Sequence, residues 1–344
     1  MNFSHCGNDK IEQFRCLIEK SDRIVVVGHT NPDGDAMGSV LGMYHALKKQ
    51  GKEVSMLMPD TFPEYYGFLP SSGEIIIAEN DLQKTSDILD SADLLILQDL
   101  NQISRTGCAA EMIGHNCKPS VLIDHHLHPD TESFNLVFSE PGISSASELV
   151  FWILAQAYGK EIFDMDTATC LYTGICTDTG SFAYSCNHKS VYLAVAELVE
   201  TGINIKSIHD SIFNTYSIGR MKFLGHCLNN CLHIMDDVPA AYFVASHADQ
   251  KRFDLKDGDM EGIVNYALMM GKMEIGIILK ETAEGVVRIS FRSKHDFDVN
   301  SFARKYFNGG GHLNASGATS AYGMEETETL LVKHLREEYK NFKK

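Results

Sequence analysis

Acidic and histidine residues gather at four points of the 344-residue chain, each just beyond an apolar run. His29, Asp33 and Asp35 follow RIVVVG, Asp99 follows DLLILQ, Asp124, His125 and His126 follow SVLI, and Asp178 follows LYTGICT. Carboxylates brought into one crevice repel one another strongly unless cations lie among them. Pro32 stiffens the first turn and Gly34 frees the backbone between the two aspartates, so Asp33 and Asp35 can address two neighbouring cations. Mixed carboxylate and imidazole ligation suits manganese, with iron, cobalt or magnesium next. An all-oxygen set would favour magnesium or calcium, and thiolates would favour zinc. Any one of these clusters alone reads as a solvated turn or a strand-end cap. Together, in this order, they predict a two-metal site built from His29, Asp33, Asp35, Asp99, His125 and Asp178.

The elements that must position these groups are legible from periodicity. Arg23–Gly28, Glu53–Met58, Glu74–Ala78, Asp93–Leu97 and Ser120–Ile123 read as short buried strands. Helical patterns over Asp35–Gln50, Asp81–Leu89 and Ser145–Tyr158 alternate with them, the first and last stopped by Gly51 and Gly159. Such alternation predicts an α/β fold, with a mostly parallel sheet flanked by helices on both faces. Three of the four clusters then fall at the carboxyl ends of strands, the edge at which open α/β sheets bind ligands. Gly38 and Ser39 keep the adjoining helix slim. A helical region from Asp166 to about Cys231 follows, with a turn around Thr177–Ser185. Beyond it, strands over Ala240–Ser246, Met273–Leu279 and Val286–Arg292 and helices over Val299–Phe307 and Met324–Tyr339 predict a smaller α/β domain across a cleft. The expected division is 1–200 for the catalytic domain, 201–236 for a helical linker and 237–344 for the second domain.

Bulk properties agree. At 344 residues and 44% hydrophobic the chain exceeds one ordinary core, so two domains are expected. A formal net charge of −16 argues against a long duplex-DNA partner held by a basic face, and bound cations would answer the repulsion of a phosphate substrate locally. Nine scattered cysteines form no paired framework, and no signal segment or membrane-length apolar run is visible, so a cytoplasmic protein without membrane attachment is expected. Cys227, Cys231 and His233 are read as core side chains rather than a metal cluster, because cysteines four apart on a helix are ordinary small core residues.

The second domain carries its own signal. In GGGHLNASG (309–317), Gly309, Gly310 and Gly311 would let backbone N–H groups approach an anion, and His312 can donate to a phosphate oxygen. Arg292, in FRS, offers a planar fork of donors. With a metal site upstream, these residues are read as phosphate-binding.

HTNPDGDAMGS, the Asp99 segment, DHH and GICTDTGSF resemble the motifs of the DHH phosphoesterase family. FRS with GGGHLNASG resembles that family's first type of associated C-terminal domain. The resemblance runs from about residue 20 to 340. In length and motif order it is closest to the short NrnA-type members, nano-RNases and 3′-phosphoadenosine-5′-phosphate phosphatases, rather than to the longer RecJ exonucleases. It implies that His29, Asp33 and Asp99 hold one metal and that Asp35, Asp99, His125 and Asp178 hold the other, with Asp99 bridging. It further implies that His126 faces the scissile phosphate while Asp124 orients its neighbours. Arg292, Gly310, Gly311 and His312 would grip the substrate's terminal phosphate or nucleotide, with Arg105 as a further phosphate ligand. Two divalent cations, manganese foremost, and short oligonucleotides or nucleotide bisphosphates are the implied cofactors and substrates. Cyclic-dinucleotide phosphodiesterase, polyphosphatase or pyrophosphatase, and a non-catalytic nucleotide sensor are the alternatives. No sequence feature decides between a monomer and a homodimer.

Overall fold

The computed structural model describes residues 6–256 and 258–342. It comprises two compact units, Met1–Thr215 and Tyr216–Lys344. The division falls within the stretch 201–236 expected as a linker.

The first unit begins with α1 (Asn8–Glu19), β1 (Arg23–Val27), α2 (Gly34–Lys49), β2 (Glu53–Met58) and the two-residue β3 (Ile76–Ile77). It continues through α3 (Leu82–Ser91), β4 (Leu94–Gln98), α4 (Ala110–Gly114), β5 (Ser120–Asp124) and β6 (Leu136–Ser139). Four helices complete it: α5 (Ala146–Tyr158), α6 (Met165–Asp178), α7 (Lys189–Glu200) and α8 (Ile205–Phe213). All six strands pair in parallel, in the order β3-β2-β1-β4-β5-β6. Alternate strand residues serve two cores. Ile24, Val26, Ile96, Val121 and Ile123 pack with α1, α2, α5 and α6 on one face. Val25, Val27, Leu95, Leu97 and Leu122 pack with α3 and α4 on the other. Burial on both faces is why these strands read as unbroken apolar runs. Strand order reverses between β1 and β4, which opens a crevice at their carboxyl ends.

The expected strand over Glu74–Ala78 shrinks to β3 because a 3₁₀ turn over Ser72–Glu74 precedes it. There the Glu74 carboxylate accepts hydrogen bonds from Tyr44 Oη and Ser71 Oγ. Helix α1 and strand β6 had no counterpart in the sequence reading.

Helices α2 and α6 approach closely through glycine. A Cβ on Gly38 would lie 2.5 Å from the Cys170 carbonyl oxygen and 2.7 Å from Gly174 N. Backbone cannot yield there as a side chain could. Gly38→Ala is expected to cost about 3 kcal/mol and to lower the melting temperature by roughly 6–12 °C, measured by calorimetry. An unchanged melting temperature would contradict this packing.

The second unit contains α9 (Ile218–His226), β7 (Leu232–Ile234), β8 (Ala240–Ala245), α10 (His247–Arg252), α11 (Asn265–Met269) and β9 (Ile275–Glu281). It ends with β10 (Val287–Ser293), α12 (Val299–Phe307), β11 (Gly310–His312), β12 (Ala315–Ser320) and α13 (Met324–Phe342). Its sheet runs β11-β12-β10-β9-β8-β7, antiparallel except for the parallel β8–β9 pair. Ile277, Leu279, Ile289 and Phe291 bury one face under α12 and α13, while Ala241, Phe243 and Ile278 pack with α9 and α11 on the other. Among the described residues no helix is long and apolar enough to cross a membrane.

Candidate active site

The clusters at the carboxyl ends of β1, β4 and β5 and the last turn of α6 converge in the first unit. His29 follows β1, and its Nδ1 donates to the Thr30 carbonyl oxygen at 2.7 Å. That leaves Nε2 facing Asp99 Oδ2 at 3.3 Å and Asp33 Oδ1 at 3.8 Å. Asp33 caps α2, its Oδ1 accepting from the backbone N–H groups of Asp35 and Ala36 at 3.0 and 3.1 Å.

Asp35 lies in the first turn of α2 and is buried. Its carboxylate accepts from Ala146 N at 2.6 Å and Ser147 N at 2.9 Å, the otherwise unpaired donors at the start of α5. Helix α6 delivers Asp178 at its last residue. His125 Nε2 stands 3.7 Å from Asp35 Oδ2, 3.7 Å from Asp178 Oδ2 and 3.5 Å from Asp99 Oδ1.

Asp99 therefore turns one carboxylate oxygen toward His29 and the other toward His125. It does so from a left-handed backbone conformation with φ of 58°, which Asp tolerates better than most residues. Its backbone N–H donates to the Ile123 carbonyl at 3.0 Å, tying the strand end to β5. Asp99 Oδ1 and Asp124 Oδ2 are buried without a hydrogen-bond donor among the described residues. Buried carboxylate oxygens left in this state are costly, and a cation is what such oxygens fit.

Within each of two donor sets, His29–Asp33–Asp99 and Asp35–His125–Asp178, one ligand atom per residue lies within 4.8 Å of the others. The first set holds the residues that the family resemblance implied for one metal, and the second holds three of the four implied for the other, without Asp99. Asp99, Asp124 and His126 form a third such set.

His126 is oriented from both sides. Its Nδ1 donates to Asp124 Oδ1 at 2.7 Å, and its Nε2 accepts from Arg105 Nη1 at 3.1 Å. Arg105 Nη1 also lies 3.3 Å from the Asp99 carbonyl oxygen. Burial first, and the neighbouring His125 and Arg105 charges next, keep His126 below the usual imidazole range against the pull of Asp124 and Asp99. The 2.7 Å contact with Asp124 favours the tautomer with its proton on Nδ1.

The other groups shift in opposite directions. Burial alone would raise Asp99, but the neighbouring His125, His29 and His126 hold it well below the usual carboxylate range. Burial, then the charges of Asp99 and Asp178, push Asp35 well above it. Burial would lower His125, but Asp178, Asp99 and Asp35 outweigh it and raise His125 well above the usual imidazole range.

Two supports were not anticipated. Asp60 binds the Asn31 N–H with both carboxylate oxygens, at 2.8 and 3.0 Å, and so fixes the turn between His29 and Asp33. Its place just beyond β2, on the same sheet edge, was the available signal. The start of α5, which holds Asp35, was legible as S-x-x-E. Ser145 caps the helix and accepts from Glu148 N at 3.0 Å. The Glu148 carboxylate turns to Ser144 and Trp152 instead of closing the box.

The remaining expected residues belong to the second unit. Arg292 on β10 and His312 on β11 both pair with Ala315 of β12, from opposite sides, which puts them on one sheet face. The structure places the glycine triplet, expected to approach an anion, at the edge of the second sheet. It leads into the edge strand β11, and the Gly311 N–H donates to Asn300 Oδ1 at 3.0 Å. The reason for glycine here is steric, since a Cβ on Gly311 would meet the Ala315 carbonyl oxygen at 2.5 Å, and its φ of 145° suits glycine. Asn300 also accepts from Arg304 Nε at 3.1 Å, placing beside Gly310 a guanidinium that the sequence reading passed over.

A parallel sheet with a histidine–aspartate cluster at its switch point, followed by a mixed-sheet second unit, defines a class. The chain matches the DHH family, N-terminal domain, over residues 23–175 and the DHHA1 domain over residues 238–341. It belongs to the DHH family of phosphoesterases. A Mycoplasma genitalium relative, named bifunctional oligoribonuclease and PAP phosphatase NrnA, is 30% identical over 303 residues, 88% of this chain and 89% of its own. A Thermus thermophilus relative of the same name is 28% identical over 321 residues, covering 92% and 90%. The crystal structure of an exopolyphosphatase-related protein from Bacteroides fragilis aligns with a TM-score of 0.92 at 34% identity, over 98% of both chains.

Proposed function

We propose that this protein hydrolyses short oligonucleotides to mononucleotides and removes phosphate from 3′-phosphoadenosine-5′-phosphate, using two divalent cations, manganese foremost. The observation that carries this reading is Asp99, whose two carboxylate oxygens face two separate donor sets. His29, Asp33 and Asp99 would hold one cation, and Asp35, Asp99, His125 and Asp178 the other. Bound there, the cations supply Lewis acidity toward phosphoryl oxygens and an activated water. The chain's own groups do the rest. Arg105 offers donors to the scissile phosphate, and His126, whose ring Asp124 holds in place, would face it. Arg292 and His312 bind phosphate on the second unit. The net charge of −16 favours substrates of a few phosphates over long strands. The names of the NrnA relatives support the same substrates, and cysteines that stand free support a reducing, cytoplasmic setting.

A panel of 5′-pApA, longer RNA, 3′-phosphoadenosine-5′-phosphate, cyclic di-AMP and pyrophosphate, each with manganese and with EDTA, tests the substrate class. Manganese-dependent release of mononucleotides from pApA is expected. Cleavage of pyrophosphate alone would instead favour a polyphosphatase or pyrophosphatase reading, and polyphosphate added to the panel would test the activity named for the Bacteroides fragilis relative.

Arg292→Ala is expected to raise KM about tenfold with kcat and bound manganese little changed, as for loss of one charge-assisted contact. Loss of manganese from that variant would overturn the assignment.

A pH dependence also follows. Asp35 and His125 carry raised pKa values in the folded, metal-free chain, so folding holds protons there that the unfolded chain releases. Stability without metal should therefore decline as pH rises from each group's ordinary value toward its raised one. Cations compete with those protons, so the gain in melting temperature on adding manganese should grow between about pH 6 and 9. A gain that is flat or shrinks over this range would contradict ligation by His125 and Asp35.

A further inference from the structure

Helix α9 does not end in an ordinary cap. It passes into a π-helical turn, Cys227–Cys231, before β7. In a regular α-helix, residues five apart point about 140° away from each other. A π turn stacks residues five apart, and such turns occur frequently at functional sites. Here the residues so aligned are His226 and Cys231. Asp249, on α10, meets them: His226 Nε2 lies 3.1 Å from Asp249 Oδ1. The ligand atoms of His226, Cys231 and Asp249 all lie within 4.8 Å of one another. In a tetrahedral zinc site, nitrogen, oxygen and sulfur ligands stand about 3.3–3.8 Å apart, so modest side-chain movement closes the set.

We propose that His226, Cys231 and Asp249 form a zinc site within the second unit, fastening the end of α9 to α10. Cys231 is buried as the sequence led one to expect, and the proposed site differs from the cluster weighed there in its histidine, His226. His233 instead stacks on Tyr242, with ring centroids 4.9 Å apart. The surroundings suit the assignment. Ser246 Oγ donates to Asp249 Oδ2 at 2.6 Å, which leaves Oδ1 directed at His226, the arrangement by which outer partners orient metal ligands. Zinc binding would release the Cys231 thiol proton to solvent. Cys231 is buried, and His226 and Asp249 are partly exposed, so a cation can enter and still be shielded once bound.

Cobalt(II) titration of the full-length, reduced, metal-stripped protein tests this. A sulfur-to-cobalt charge-transfer band in the near ultraviolet reports only sites with a thiolate ligand, and the first-unit donor sets contain none. The band should saturate at an intensity of one thiolate-bound cobalt per chain, reached within three equivalents as the first-unit sites also fill, and zinc should displace it. The band should vanish in Cys231→Ser and persist in Asp99→Asn. His226→Asn and Asp249→Asn should each weaken cobalt binding at least tenfold, and they decide the matter if Cys231→Ser fails to fold. Absence of the band at saturating cobalt overturns the proposal. So does a band undiminished in Cys231→Ser, which would place the metal on other cysteines such as the exposed Cys16, Cys108 or Cys117. Unchanged cobalt affinity in both His226→Asn and Asp249→Asn overturns it as well.

Discussion

Asp99→Asn should lower kcat on pApA by about a thousandfold or more, ~4 kcal/mol in the barrier, and should reduce bound manganese. Asparagine has nearly the same shape as aspartate and shares its tolerance of the left-handed backbone found at φ of 58°, so the fold should survive. What disappears is one anionic oxygen of a carboxylate that faces His29 on one side and His125 on the other. Both donor sets lose charge in a single substitution. Circular dichroism and melting curves like those of the parent, with turnover lost, would separate ligation from structure. Turnover near the parent's would sink the shared-ligand account.

His126→Ala should behave differently. The ring sits between Asp124 and Arg105, with Nδ1 donating to the carboxylate and Nε2 accepting from the guanidinium. If its Nε2 side meets the reacting phosphate, removing it should cost about 10²–10⁴-fold in kcat, while manganese binding through the other residues stays intact. Asp124→Asn should give a smaller loss and a shifted pH–rate profile, because the amide holds the ring without the carboxylate's charge. Loss of manganese in His126→Ala, with kcat recovered at saturating metal, would make His126 a metal ligand instead.

The contrast between these variants reflects what could be read from residues alone. His29, Asp33, Asp35, Asp99, His125 and Asp178 stood out as candidates because their clusters follow apolar runs, three at the carboxyl ends of parallel strands and Asp178 at the end of a helix. The division into two donor sets came from resemblance; the atoms group as His29–Asp33–Asp99 and Asp35–His125–Asp178, with Asp99 in the first group only. Asp60 was missed because a lone strand-end aspartate looks like any polar turn. β6 escaped because LVFS offers too few residues for a period to register. The glycine triplet carried more than one meaning. Glycines that admit an anion and glycines that admit a neighbouring strand look alike in sequence, and the Ala315 carbonyl and the Asn300 side chain show close packing at Gly311 that the sequence did not reveal. Asn300 and Arg304 lay on a helix whose pattern spoke only of its buried face. The His226–Cys231 pair was hidden by its five-residue spacing, which an α-helical template separates and a π turn brings together.

The most direct test of the central claim is a manganese-binding titration of the metal-stripped protein and of Asp99→Asn, run alongside turnover of pApA. Shared ligation by Asp99 predicts two manganese equivalents in the parent, weakened binding of both in the variant, and activity that follows occupancy. Hydrolysis that continues in EDTA, or full manganese binding and turnover in Asp99→Asn, would contradict it.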